Sequence, residues 1–399
     1  MLKLRHAIVL SAEPASPAPA GGAARAAAPQ GALEQELTVE LSNAGAGARR
    51  PAIADVALVG RAQMGDEVIV NTQALDLGLG SGGFDIVHVN LTRGLQGDDS
   101  SGAHVMKLNY TSLQHAVTPV EDEVLQLPLE RPVAVLALHG QLAAVAWAFA
   151  QGARTGRLGY VQTVGGALPG GHSLTVRLLR ERGLLAGHLT AGAAFGGEGE
   201  AITTAGALHH GLHALGWDAA VCGPGPGIVG SSSQLGHGGL AALDSAHTAL
   251  ALGCPTLLVA RMSSADDRPR HRGISHHTLT VLDLLLGPVT VALPAGMRSP
   301  AGSELRAKLG AVFAGGSEPL SEQRPVALDL ERPVRIARHD WRRAVVDLPA
   351  YAACGLPAQT MGRGLTEDPL FFGTALAGGS ALAELATQSS TGAGTEEAG

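Results

Sequence analysis

The sequence predicts an α/β protein: a doubly wound, mostly parallel sheet preceded by a small N-terminal β-barrel-like domain. Three observations predict it. Up to residue 118, short runs rich in β-branched residues are bounded by Gly, Asn, Asp or Pro. From residue 132, apolar runs that do not alternate are separated by helical stretches, the pattern of parallel strands covered on both faces. Between them lies TPVEDEVLQLPLERP (118–132), whose centre, 119–131, reads as a linker.

In the first domain (1–118) the candidate strands are 6–12, 36–42, 52–58, 66–72, 84–90 and 104–110. In MGDEVIVNT, Gly65 permits a tight turn before a β-branched run, as in small β-barrels. The Ala/Pro-rich segment 14–31 is low-complexity and reads as a surface loop. In the second domain (132–386) strands at 132–138, 157–163, 188–194, 218–222, 255–261 and 288–293 alternate with helices near 141–151, 173–182, 203–215, 239–252 and 276–286. Further helices are expected at 303–314 and 370–386, the latter part of a C-terminal extension of this domain, and a disordered tail at 387–399.

The chain has 399 residues, 45% hydrophobic and 16% charged, so it can bury a sizeable core. Its formal net charge of −7 implies no broad basic surface, and neither nucleic acid nor membrane is expected as a partner. A homo-oligomer is compatible with this composition. Cys222, Cys254 and Cys354 are isolated, without CxxC spacing, which disfavours a disulfide framework or structural zinc and suits core packing in a cytoplasmic protein.

In a doubly wound sheet, ligands bind outside the carboxyl ends of the strands. The predicted strand-to-helix loops make that edge Gly- and His-rich. They offer His139; VGGALPGGHS (164–173) with His172; FGGEGE (195–200) with Glu198 and Glu200; GPGPGIVGSSSQLGHGG (223–239); and SADDRPRHRGIS (264–275). The opposite returns are plain.

The last loop concentrates charge. Ser275 is the natural N-cap of the following helix, placing His276 and His277 in a first turn whose free N–H groups and dipole favour an anion. Arg268, Arg270 and Arg272 lie just upstream, and their guanidinium forks suit phosphate or carboxylate. The dipole favours neutral imidazole, suited to acid–base work or to a metal. His276, His277 and His139 are the catalytic candidates. Arg268, Arg270, Arg272, Ser275, Gly225, Gly227 and Ser231 are the anion-binding candidates. Asp266, Asp267 and Glu198 are candidates for metal or acid–base roles. The alternative is a structural network in which the arginines pair with Asp266 and Asp267.

Other motifs carry less. GPGIVG (225–230) is formally GxGxxG, but it follows the fourth predicted strand and no acid follows at a strand end, so no dinucleotide is implied and the cofactor stays unknown. HHGLH lacks the glutamate of HExxH, so His209 and His213 read as surface or packing residues. Neither a Walker A ending nor a GxSxG elbow is present. Lys107 and Tyr110 offer additions from the first domain, and Arg363, before a helix capped by Thr366, can reach the site.

With LDLGLGSGG (75–83), HVMKLNYT (104–111), LHGQ (138–141), GPGIVG, RPRHRGISHH (268–277) and TMGRGLTEDP (360–369), the chain resembles a bacterial family, domain of unknown function 3866. LHGQ departs from an LHSQ-like pattern, and the insertion at 14–31 is peculiar to this chain. The resemblance implies one coherent two-domain protein and transfers no activity. The function expected from the residues is an enzyme acting on a small anionic, phosphorylated or carboxylated metabolite. A non-catalytic sensor or adaptor and a structural scaffold are the alternatives.

Overall fold

The computed structural model describes residues 2–13, 34–42, 48–77, 83–93, 103–122, 124–167, 169–295, 335–336 and 338–392. The loop expected at 14–31 and the helix expected at 303–314 lie outside these residues.

Alternating apolar residues build the N-terminal domain. Strands β1 (Leu4–Ala12), β2 (Glu34–Leu41), β3 (Arg49–Asp55), β4 (Glu67–Asn71) and β5 (Asp85–Asn90) close into a barrel in the order β1-β2-β3-β5-β4. β1 to β3 run antiparallel in sequence and β4 returns beside β1, a Greek key; β5 pairs parallel with β3. Every second side chain points inward. Ala7, Val9, Leu37, Val39, Ala52, Ala54, Val68 and Val70 form a core shielded from water. The third strand ends earlier than expected, because Val56–Val59 turns into a short helix, α1, against that core.

The run expected as a sixth strand at 104–110 leaves the barrel. Val105–Lys107 (β6) pairs only with His115–Val117 (β7), and the hairpin docks on the other domain through Lys107. The linker lies along the sheet edge: Glu121 accepts from the backbone of Ile202 and Thr203, and His209 accepts from the Gln126 N–H.

The second domain is an eight-stranded parallel sheet. Its strands are β8 (Val133–Leu136), β9 (Leu158–Thr163), β10 (Gly187–Ala191), β11 (Gly199–Ala201), β12 (Ala219–Pro224), β13 (Thr256–Val259), β16 (Thr290–Pro294) and β17 (Asp340–Ala344). Their order is β11-β10-β9-β12-β8-β13-β16-β17, and β14 (Met262–Ser263) and β15 (Gly273–Ile274) form a separate antiparallel pair. The central strands are buried along their length, which is why their sequences do not alternate.

Between α1 and the sheet, α2 (Gln73–Asp76) belongs to the barrel. Helices α3 (Leu142–Gly152), α4 (Leu174–Glu181) and the C-terminal helix Pro369–Gly392 cover one face of the sheet. Helices α5 (Thr204–His209), α6 (Ala241–Ala251) and α7 (His276–Leu284) cover the other. The C-terminal helix runs through Gly392, past the expected start of the tail. Thr387 and Ser389 lie within it, their hydroxyls bonding back to the carbonyls of Ala383 and Leu385. Its Pro369–Ser389 window has the length and apolarity of a membrane span, yet 78% of that window is buried inside the protein, so it is a core helix. Gly379 lets it approach α3 closely, since a Cβ there would stand 2.3 Å from the Val145 carbonyl oxygen.

Two strands of the large sheet were not legible in the sequence. β11 lies within the segment read as the FGGEGE loop, and β17 has the half-exposed polar sequence DWRRA of an edge strand. On the face of α5, Trp217 fills a hollow left by three glycines, Gly159, Gly187 and Gly211.

Candidate functional site at the carboxyl edge of the sheet

All eight strands being parallel, the loops after β8, β9, β10, β12 and β13 reach one edge. The charged loop after β13 is clamped at its base. Met262 pairs with Ile274 and Ser263 with Gly273, and Gly273 takes a left-handed φ of 62° to turn the chain toward α7. Ser275 caps α7 as expected, its hydroxyl accepting from the His277 N–H at 3.2 Å. Across the clamp, Arg261 N–H donates to Thr278 Oγ1 at 2.8 Å and Ser275 N–H to the Arg261 carbonyl at 2.9 Å.

This frame assembles four histidines. His276 and His277 come from the first turn of α7, His271 from the short turn Pro269–His271, and His237 from the loop after β12. The His237 ring stacks on His277 at 3.5 Å between centroids, and His271 lies 4.9 Å from both His276 and His277. The Nδ1 of His271 meets Ser275 Oγ at 2.8 Å, and the Nδ1 of His277 meets Arg261 Nη1 at 3.0 Å. The Nε2 atoms of His276 and His277 and both ring nitrogens of His237 are buried, with no hydrogen-bond partner among the described residues.

Burial first, and then the neighbouring cations and rings, push the imidazoles toward their neutral forms. His271 falls to about 3, His276 to about 4 and His277 to about 2. His237 is lowered too, by burial and by Arg261, while the Gln234 backbone works against the fall.

Beside them, one carboxylate serves three guanidinium groups. Asp266, 1% exposed, receives Arg268 through Nε and Nη2 at 2.9 Å each, Arg363 Nη2 at 3.3 Å and Arg261 Nη2 at 3.5 Å. Although burial alone would raise it, the hydrogen bonds and charge of Arg268 hold its carboxyl well below the usual carboxylate range. Arg261 is itself buried. Desolvation, with the repulsion of Arg268, Arg363 and Arg270, pulls it down to about 10 despite Asp266. A second carboxylate, Asp368, accepts from Ser263 Oγ at 2.5 Å, Ser264 N–H at 2.8 Å and Arg363 Nε at 3.3 Å.

The structure therefore brings together His276, His277, Ser275, Asp266 and Arg268 of the expected residues, with Arg363 from the TMGRG segment. Arg268 is engaged by Asp266 rather than open, the pairing that a structural network predicts. Arg272 Nε donates to the Asp266 carbonyl, while Asp267 and Arg270 lie exposed; the charge of Arg270 still reaches Arg261 and His276.

Other expected residues stand apart. His139 forms a buried network with Ser173 Oγ (2.7 Å) and Tyr160 Oη (3.3 Å), and among the described residues no bond or ring contact joins it to the cluster. Burial lowers it to about 4. Glu198 pairs with Arg180 Nε at 2.5 Å, and Glu200 with Lys107 Nζ at 2.6 Å. Tyr110 is fully exposed.

The glycines after β12 serve loop packing. A Cβ on Gly225 would stand 2.5 Å from the Ala167 carbonyl oxygen, whereas at Gly227 it would only touch Ala167 at 3.9 Å, and a φ of 74° is what favours glycine there. Ser231 is exposed in a small turn with Ser233. His209 holds the linker, and Cys222 and Cys254 are buried thiols pushed up to about 12 by that burial.

Arg261, His237 and Asp368 were missed in the sequence. Arg261 sits at the end of an apolar strand run, and a pattern of strand followed by a buried cation was the signal for it. His237 stood in the Gly-rich loop with no local partner, and Asp368 reads locally as part of a helix start.

The fold defines a class: a closed five-stranded barrel followed by an eight-stranded parallel α/β sheet, with histidines and arginines clustered at the sheet's carboxyl edge. Within that class the family is clear. Residues 51–379 match the family described as Protein of unknown function (DUF3866), and the chain belongs to that family. Comparisons with curated proteins and with solved structures returned no match.

Proposed function

We propose that this edge binds a small anion, a phosphorylated or carboxylated metabolite, and that the protein is a cytoplasmic enzyme acting on it. One observation carries the reading: among the described residues, the only carboxylate paired with the buried Arg261 is shared with Arg268 and Arg363. Cationic charge exceeds anionic charge there, and an incoming phosphate or carboxylate offsets it. Arg261, Arg363 and the exposed Arg270 are the anion-facing groups, and the dipole of α7 at its N-terminus adds to them. His276 and His277 stand beside them, within reach of a reacting group.

A structural tie is the second reading, favoured by the two-pronged Arg268–Asp266 pair and by the bonds of Asp368. A thermal-shift screen with phosphate, pyrophosphate, nucleotides, sugar phosphates and carboxylates separates the two. A ligand at about a hundred times its Kd adds about 2.7 kcal/mol, a readable shift. The anion reading expects that shift to vanish in Arg270→Ala and Arg363→Gln. No shift with any anion, and a large loss of baseline stability in Arg363→Gln, would leave the tie standing. Turnover lost in His276→Ala with binding kept would distinguish an enzyme from a sensor.

A further inference from the structure

We propose that His271, His276 and His277 hold a divalent transition-metal ion, of the zinc, cobalt or nickel kind, to which the bound anion adds a ligand. The metal part stands on the histidines alone; the anion's share rests on the function proposed above.

Geometry comes first. One nitrogen from each of the three rings lies within 4.8 Å of the other two, and His271 and His277 are buried. Imidazole nitrogen is a borderline donor that suits zinc, cobalt and nickel, whereas calcium and magnesium take oxygen. The carboxylate nearby, Asp266, is occupied by three arginines, so the set is nitrogen only.

Two further observations point to a ligand. His276 Nε2 and His277 Nε2 are buried atoms without a hydrogen-bond partner among the described residues, and such atoms are rare in protein interiors. The hydroxyl of Ser275 fixes His271 through Nδ1 at 2.8 Å, leaving Nε2 toward the cluster, the outer-shell arrangement that orients metal-bound imidazole.

The arginines make the binding conditional. Arg261 can only donate, so in the metal-free state the His277 Nδ1 at 3.0 Å accepts and the ring proton sits on Nε2. Ligation by Nε2 moves that proton to Nδ1 and turns the Arg261 guanidinium away. A metal at this point also faces the charges of Arg261, Arg268 and Arg270. A phosphate or carboxylate offsets that repulsion and takes up the released Arg261. Metal and anion therefore strengthen each other's binding, and by linkage the factor is the same in both directions.

The test uses the full-length protein, stripped with a chelator and titrated with cobalt(II), read by calorimetry and by cobalt's visible absorption. Inorganic phosphate is present or absent. The proposal expects one saturable site with the strong absorption of low-coordinate cobalt, tighter with phosphate. His271→Ala and His276→Ala should weaken it by at least the roughly 10–100-fold that loss of an outer-shell partner costs. His213→Ala, outside the cluster, should leave it unchanged.

Arg261→Gln guards against misfolding as an explanation, because it should tighten cobalt binding without phosphate, a gain that a damaged fold does not produce. Absence of saturable cobalt uptake in either condition, or uptake indifferent to His271→Ala and His276→Ala, overturns the metal site. Phosphate binding in the chelated protein is scored separately, so cobalt uptake without it would sink the anion reading alone.

Discussion

Replacing Asp266 by Asn keeps the side chain's shape and one acceptor oxygen but removes the charge that three arginines share. The cost falls unevenly. The Arg268 side chain is 43% exposed and can turn to water, so its share is small, about 1 kcal/mol or less. Arg363 keeps Asp368. Arg261 has neither escape, its side chain being 4% exposed with Asp266 its one carboxylate partner among the described residues. At 3.5 Å and an effective dielectric of about 20, that attraction is worth about 5 kcal/mol, and residual bonding to the amide brings the expected loss toward about 3 kcal/mol. Urea unfolding of the full-length protein at pH 7 measures it.

The sign with pH is fixed by the direction of the shift. Asp266 has a folded pKa below its unfolded value, so its contribution is complete above about 3.9 and is lost as pH falls further. The gap between wild type and Asp266→Asn should close in acid. Sulfate or phosphate should stabilise the variant more than wild type, by supplying the missing negative charge. A loss under about 1 kcal/mol, or equal salt effects on both proteins, would refute the view that Arg261 is under-neutralised.

Gly159→Ala would drive a Cβ to 1.8 Å from the Trp217 ring, and should cost about 3 kcal/mol, at the upper end of overpacking, with an altered tryptophan emission spectrum. His172, raised to about 9 against its burial by hydrogen bonds to Asp55 and Glu34 of the barrel, stabilises the domain pairing fully below about 6.5 and ceases to as pH rises through 9. Urea titrations at pH 6 and pH 10 should show wild type losing about 3 kcal/mol more than His172→Gln. Lys107→Met should loosen the β6–β7 hairpin by removing bonds to Thr190, Ala194 and Glu200, seen as faster proteolysis near residue 110 at unchanged global stability.

Periodicity made most elements legible, because local pattern records which faces are buried. The alternation in β2 and the unbroken apolar run of β8 each report burial that tertiary structure then realises. β11 and β17 escaped because the short GEA and the largely charged DWRRA, at the sheet's margins, carry no such record. β6 shows a different limit. Its alternation marked a strand, but the barrel is already closed by five, and partner choice is a long-range matter that alternation does not encode.

The site divides in the same way. Ser275, His276 and His277 were legible because capping is local. The place of Asp266 among arginines from residues 261 and 363 was not, since that charge balance exists only after folding. His139, conspicuous after the first sheet strand, belongs to a separate buried network with Ser173 and Tyr160.

The position of β8 has a consequence for how the chain is made. It is the first strand of the large sheet to be synthesised, yet its two neighbours are β12 and β13. Val133 finds Ala220 on one side and Thr256 on the other, while β9 and β10 can pair as soon as they are complete. During synthesis the outer strands β9 to β11 thus have partners while the apolar centre does not. A nascent chain halted before residue 256 carries an unsatisfied apolar edge in β8, the kind of surface that chaperones shield and that aggregates in their absence.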